Sequence, residues 1–148
     1  MKKYLRRISQ ILALLIIGSV VLLYLTRSHP VLLRIPPDDT IRPRYYCVLN
    51  PFRDKAPEKL AEQYLNKLRE GTVEAIAPFL GERTYILEKE KQWPIQSWRI
   101  GDRKDTAEKV EIMYWVKRDN GYSGEEAVFF DVIRSGENWK VKTYSAIY

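Results

Sequence analysis

The spacing of apolar and polar positions changes three times along this chain, and each change predicts a different kind of element. Residues 8–25 are almost continuously apolar, interrupted only by Ser9, Gln10, Gly18 and Ser19. As a helix this run spans about 27 Å, close to the roughly 30 Å hydrocarbon thickness of a bilayer. It is flanked by Lys2, Lys3, Arg6 and Arg7 before and Arg27 after. A cleavable signal sequence also begins with basic residues and an apolar run, but usually has a shorter core and ends in small residues. Here the exit is Leu23, Tyr24, Leu25, Thr26, which favours a retained anchor over a cleaved signal or a buried soluble helix.

Residues 26–56 contain five prolines, Pro30, Pro36, Pro37, Pro43 and Pro51. Each removes a backbone donor and biases its predecessor toward extended conformations, so no regular element of length is expected. Taken as a semi-rigid linker, the segment reaches at most about 90 Å. The apolar run Tyr45, Tyr46, Cys47, Val48, Leu49 is expected to shorten it by docking on the folded domain.

From Pro57 the pattern is helical. Leu60, Tyr64, Leu65 and Leu68 fall on one stripe, Glu58 and Glu62 sit early, Lys67 and Arg69 late, and Gly71 comes next as a stop. Thr72 is expected to cap a second short helix with Val73, Ile76 and Leu80 inward, ended near Pro78 and Gly81. A third helical piece is expected over 83–92. After Pro94 the period becomes two: 95–103, 109–118, 126–134 and 138–147 predict four strands rich in Trp, Tyr, Val, Ile and Phe. Asp119, Asn120 and Gly121, then Ser135, Gly136 and Glu137, supply turns short enough for an antiparallel meander. The expected architecture is α+β: an N-terminal transmembrane helix, then two or three helices packed on a curved four-stranded antiparallel sheet. It divides into a basic N-terminus (1–7), an anchor (8–25), a Pro-rich linker (26–56) and one domain (57–148), and at 148 residues a second domain does not fit.

Charge changes the picture through its placement. The chain carries a formal net charge of +6, which invites a nucleic-acid reading. All of it lies before Tyr45: eight basic residues stand there against Asp38 and Asp39, and residues 45–148 hold 17 basic and 17 acidic side chains. Basic charge confined to the flanks of an apolar span suits lipid headgroups and argues against a phosphate-binding surface. The basic N-terminus places that end in the cytoplasm by the positive-inside rule and the domain outside the cytoplasmic membrane. Arg27, Arg34, Arg42 and Arg44 weaken this orientation without reversing it.

The run Tyr64-Leu65-Asn66-Lys67-Leu68-Arg69-Glu70-Gly71-Thr72-Val73-Glu74-Ala75-Ile76 and the closing Trp139-Lys140-Val141-Lys142 resemble the nuclear transport factor 2-like superfamily. That resemblance covers 57–147 and implies a cone-shaped α+β domain, a fold shared by enzymes, binders and scaffolds, so function has to come from the site. An anchor before such a domain is also similar to bitopic subunits of secretion and conjugation machines.

Enzymes of the resembled fold commonly use a pocket His or Asp. The only histidine is His29, a few residues past the apolar run, so the domain has no histidine base and no His cluster for a metal. Asp131, set in Val128-Phe129-Phe130-Asp131-Val132-Ile133, has two readings: a buried carboxylate of raised pKa, or, favoured, an outward residue pairing across strands. Cys47 stands alone and excludes an intramolecular disulfide; a docked small hydrophobe is its favoured role, a reactive thiol the other. No phosphate loop or nucleophile elbow is present. The sequence therefore assigns no catalytic residue, metal or cofactor. Tyr64, Trp98, Tyr114, Phe130 and Trp139 are either core or the lining of a ligand pocket. Met113, Trp115, Phe129, Ile133 and Tyr144 are expected on the outer sheet face, an apolar patch of the kind that marks an interface. The leading expectation is a noncatalytic interaction or assembly module of the cell envelope, binding a second copy or an envelope partner through that face. A small-ligand or isomerase-like domain and a secretion-apparatus subunit are the alternatives.

Overall fold

Four helical segments and six strands succeed one another in the computed structural model, which describes residues 2–35, 46–121 and 124–147. Helix α1 (Lys2–Leu25) is followed by strands β1 (Val31–Ile35) and β2 (Tyr46–Leu49), helix α2 (Ala56–Arg69), a 3-10 segment (Val73–Phe79) and helix α3 (Tyr85–Gln92). Strands β3 (Ile95–Asp105), β4 (Lys109–Arg118), β5 (Glu126–Ser135) and β6 (Asn138–Ile147) then form one antiparallel sheet in sequence order.

The sheet's inner face carries the core. On β4, period two sends Val110, Ile112, Tyr114 and Val116 inward, and on β5 it sends Val128, Phe130 and Val132. They meet Ala61, Leu65 and Leu68 of α2, Val73 and Ile76 of the 3-10 segment, and Ile86 of α3. Leu60 and Tyr64 flank the buried α2 stripe and are only half-buried. Gly71 ends α2 at φ 82°, a conformation that an L side chain resists. Thr72 precedes the second helical segment, but its side chain makes no capping bond, and Pro78 lies within a 3-10 rather than an α-helical turn. Length accounts for the short form: only nine residues separate Gly71 from Gly81, and Pro78 within them removes a backbone donor, so the seven-residue segment stays 3-10.

Three bulges in this sheet change which residues face inward, one at Gln96 between Ile95 and Ser97 and two that bear on the site. Between Ile100 and Asp102 the β3–β4 register shifts at Gly101, so Trp98 and Ile100 pack on the core and Arg103, three residues later, is also inside. Between Asp131 and Val132 the β5–β6 register shifts at Lys142, so Val141 and Tyr144 both point inward.

Helix α1 is 24 residues long and about 36 Å by its rise. It is long and apolar enough to cross a membrane, and none of its apolar window is buried against the rest of the chain. It is therefore not a core helix. A turn at residues 26–28 leads from it toward β1. β1 and β2 form an antiparallel ribbon in the segment where the prolines leave room only for short pieces: Pro30 precedes β1, Pro36 comes after it, and Pro51 lies beyond β2. The expected docking run is seen from Tyr46 onward; Tyr45, Pro36, Pro37, Pro43, Arg42 and Arg44 lie outside the described residues.

Asn50 fastens the ribbon to the helix. The last carbonyls of a helix lack intrahelical partners, and the fully buried Asn50 side chain supplies them: Nδ2 donates to the Leu23 carbonyl at 2.9 Å and the Thr26 carbonyl at 3.1 Å. Its Oδ1 accepts the Phe52 N–H at 3.0 Å, and its own N–H donates to the Pro30 carbonyl at 2.8 Å. Phe52 meets Tyr24 of α1 edge to face at 5.8 Å, and the Arg27 guanidinium lies 4.5 Å from the Tyr24 ring centre. Arg34 ties the ribbon to β3, its Nε donating to Asp102 at 3.1 Å and its Nη2 to the Arg103 carbonyl at 3.0 Å.

Candidate functional site

With the inner residues of β4 and β5 committed to the core, alternation leaves Lys109, Glu111, Met113 and Trp115 of β4, and Phe129, Asp131 and Ile133 of β5, on the outer face. Directly opposite pairs bring Met113 beside Phe129 and Glu111 beside Asp131. Lys109 bridges that carboxylate pair, its Nζ donating to Asp131 at 3.1 Å and Glu111 at 3.2 Å. These bonds raise the Lys109 pKa, Asp131 first and Glu111 second. Asp131 thus lies on the outer face beside a lysine and is not aimed into the core.

Four of the five residues expected to form the outer patch share this face: Met113, Trp115, Phe129 and Ile133, each half-buried. Tyr144 does not. The bulge at Lys142 turns it inward, where it is fully buried and donates its hydroxyl to Glu90 Oε1 at 2.6 Å. Gly101 explains why the patch is only half-exposed. A Cβ there would fall 2.5 Å from Met113 Cε and 2.6 Å from Trp115 Nε1, so both side chains lie across the bare glycine backbone. Arg99, paired with Glu125 at 2.7 Å, lies 5.9 Å from the Trp115 ring centre. Beside the patch is an open groove of about 300 Å³ lined by Arg34, Asp102, Lys104, Glu111, Met113 and Phe129 among others.

The five aromatics considered as pocket lining separate into two groups. Tyr114 and Phe130 are fully buried and pack edge to face at 6.2 Å, with Phe130 against Tyr144 at 5.0 Å. The Tyr114 hydroxyl donates to the Glu58 carbonyl at 3.2 Å; burial, then the nearby Glu62 and Glu58 charges, push its pKa up strongly. Tyr64, Trp98 and Trp139 sit at the core margin. Tyr64 packs on Phe79 at 5.1 Å, while Arg69 covers Trp98 and Arg134 covers Trp139.

Charge buried inside the domain is the feature that sequence reasoning missed. Arg118, at 3% exposure, donates to both Glu90 oxygens at 2.7 and 2.8 Å and to the Trp93 carbonyl at 2.8 Å, and lies 2.8 Å from Glu126. Nearer the ribbon, Glu58 accepts from Arg53 at 2.6 Å and Arg103 at 2.9 Å, and Arg103 also grips Asp105 with two bonds of 2.8 Å. Burial alone would lower the Arg103 pKa, but its bonds to Asp105 and Glu58 outweigh that and raise it. Glu62, half-buried next to Glu58, is raised by burial and then by that like charge. The signal for Arg118 was present: it continues the series 110, 112, 114, 116 on β4, and Glu90 lies one turn after Ile86 on α3. Arg103 had no such signal, because the Gly101 bulge breaks its period.

Among the described residues no three His, Cys, Asp or Glu side chains gather as a metal ion would require. His29 is exposed at the end of α1 beside a shallow space of about 270 Å³ shared with Arg34, Arg103 and Asp105. Cys47 is half-buried on the ribbon. Burial, and then Asp102, push its thiol pKa up. Thiolate is the reactive form, so maleimide labelling of Cys47 is expected to be slower than that of free cysteine at pH 8, with its rate midpoint at higher pH. A stopped-flow labelling profile checks this; a midpoint at or below that of free cysteine contradicts it. No family model, curated protein or solved structure matches this chain.

Proposed function

We propose that this chain is a single-pass membrane protein whose domain is a noncatalytic interaction or assembly module. On this reading residues 8–25 cross the cytoplasmic membrane, the basic N-terminus lies in the cytoplasm and the domain works outside it, against a second copy or an envelope partner. The carrying observation is the half-buried cluster of Met113, Trp115, Phe129 and Ile133 on the sheet face turned away from the helices. Large apolar side chains on that face contribute nothing to the core, and an apolar centre rimmed by charge is the anatomy of an interface. Lys109, Glu111, Asp131 and Arg99 supply the rim. Support for the anchor comes from α1, whose apolar window is nowhere buried and is touched by the rest of the chain only at its last turn, where Phe52 meets Tyr24, and from the positive flank before it. The succession of helices and a four-stranded meander is compatible with a nuclear transport factor 2-like arrangement, in which the outer sheet face would pair two copies.

Self-association is tested on the full chain in detergent micelles by light scattering coupled to size exclusion. The wild type is expected to run as a dimer and Trp115→Glu as a monomer with a similar unfolding midpoint. A wild-type monomer at every concentration up to the solubility limit rules out pairing through this face.

A further inference from the structure

The two faces of the β1–β2 ribbon differ in chemistry. Cross-strand partners share a face, so the pair Arg34 and Cys47 lies on one side, where Arg34 reaches Asp102 of β3. The pair Leu33 and Val48 lies on the other, joined by Ile35 two residues on from Leu33. These three are 56%, 44% and 44% exposed, and Phe52, at the ribbon's root, is 40% exposed. The polar face is tied to the domain and the apolar face is turned away from it.

Three observations identify what covers that face. Asn50 bonds the root of the ribbon to the Leu23 and Thr26 carbonyls, and Phe52 packs on Tyr24, so the ribbon begins at the level of the last turn of α1. At about 3.3 Å per residue Leu33 lies within roughly 7 Å of Val31 at the root, comparable to the depth of a headgroup layer. The apolar surface of α1 therefore runs on through Phe52 to Leu33 and Val48. The segment that contains the ribbon is positive by sequence, residues 26–44 holding four arginines against two aspartates, which suits anionic headgroups.

We propose that the apolar face of the β1–β2 ribbon, Leu33, Ile35 and Val48 with Phe52 at its root, is a second membrane contact that lays the domain against the lipid headgroup layer. This rests on the reading of α1 as a membrane span. The domain then has a fixed posture: Asn50 sets the angle between span and ribbon, and the Arg34–Asp102 pair carries that angle to the sheet.

The test uses the full chain in vesicles of mixed phosphatidylcholine and phosphatidylglycerol. Cys47→Ser removes the native thiol, and single cysteines replace Val48, Leu25 at the span end, or Lys117, which pairs with Ser97 at the far end of β3. Each carries an environment-sensitive fluorophore, and lipids spin-labelled near the headgroup act as quencher. The label at 48 is expected to lose as much fluorescence as the one at 25, while the one at 117 keeps its signal. Adding Leu33→Glu should restore the signal at 48 and leave 25 quenched. Quenching at 25 with 48 behaving like 117 overturns the ribbon contact while leaving the span intact. Loss of quenching at 25 as well overturns the span and the ribbon contact together. A label at 48 shielded from lipid, with unlabelled Val48→Cys forming disulfide-linked dimers, would place a second copy on this face and overturns the lipid assignment.

Discussion

Arg118→Met is expected to destabilise the domain by about 3–5 kcal/mol, because it leaves the Glu90 carboxylate buried without its cation. Small domains have only about 5–15 kcal/mol in total, and the unfolding midpoint should fall by on the order of 15 °C. The pair is nearly water-free, with side-chain exposures of 0% for Arg118 and 1% for Glu90. Tyr144 still donates to Glu90 in the variant, but a phenol hydrogen bond does not replace a two-point guanidinium contact. The companion variant decides the mechanism: Glu90→Leu with Arg118→Met removes both charges and should be more stable than Arg118→Met alone. Urea unfolding of the full chain in micelles, monitored by tryptophan fluorescence, measures both. A single variant within about 0.5 kcal/mol of wild type, as for ordinary surface positions, would contradict the buried pair.

Phe130→Ala is expected to cost a similar amount, about 3–5 kcal/mol, since it empties a fully buried site between Tyr114 and Tyr144. This variant separates two readings of the same residue. A ring lining a ligand cavity already has empty space beside it, so truncation would change stability little and ligand binding a great deal. A ring packed on both sides loses its contacts outright. The same urea titration reports it, and a loss below about 1 kcal/mol would favour a cavity over packing.

Much of the domain was legible because its periods are clean. The α2 stripe, the Gly71 stop, the turns at Gly121 and Gly136 and the four strands all arise from local spacing, and β4 to β6 appear within one residue of their expected limits. Four of the five outer-patch residues are given by alternation on β4 and β5, which have no interruption between them. Tyr144 was misplaced for a specific reason. One extra residue at Lys142 inverts the parity of the rest of β6, and nothing in Thr143-Tyr144-Ser145 announces it. The same device at Gly101 hid Arg103, although there a glycine in a strand was a warning. The ribbon was obscured differently, because proline density suggested a linker while the prolines bracket the strands.

The sequence by itself determined the apolar helix, the element order from α2 onward, the neutrality of residues 45–148 and the side of β4 and β5 that faces water, since each depends on residue spacing or composition. Only the tertiary structure decided that the end of α1 is fastened through Asn50 to a ribbon, and that Glu58 and Glu90 meet Arg103 and Arg118 across the domain. Those partners stand 45 and 28 residues apart. Pairing across such distances is fixed by how helices and sheet pack, and by bulges that reset which way a strand faces, neither of which leaves a period in the chain.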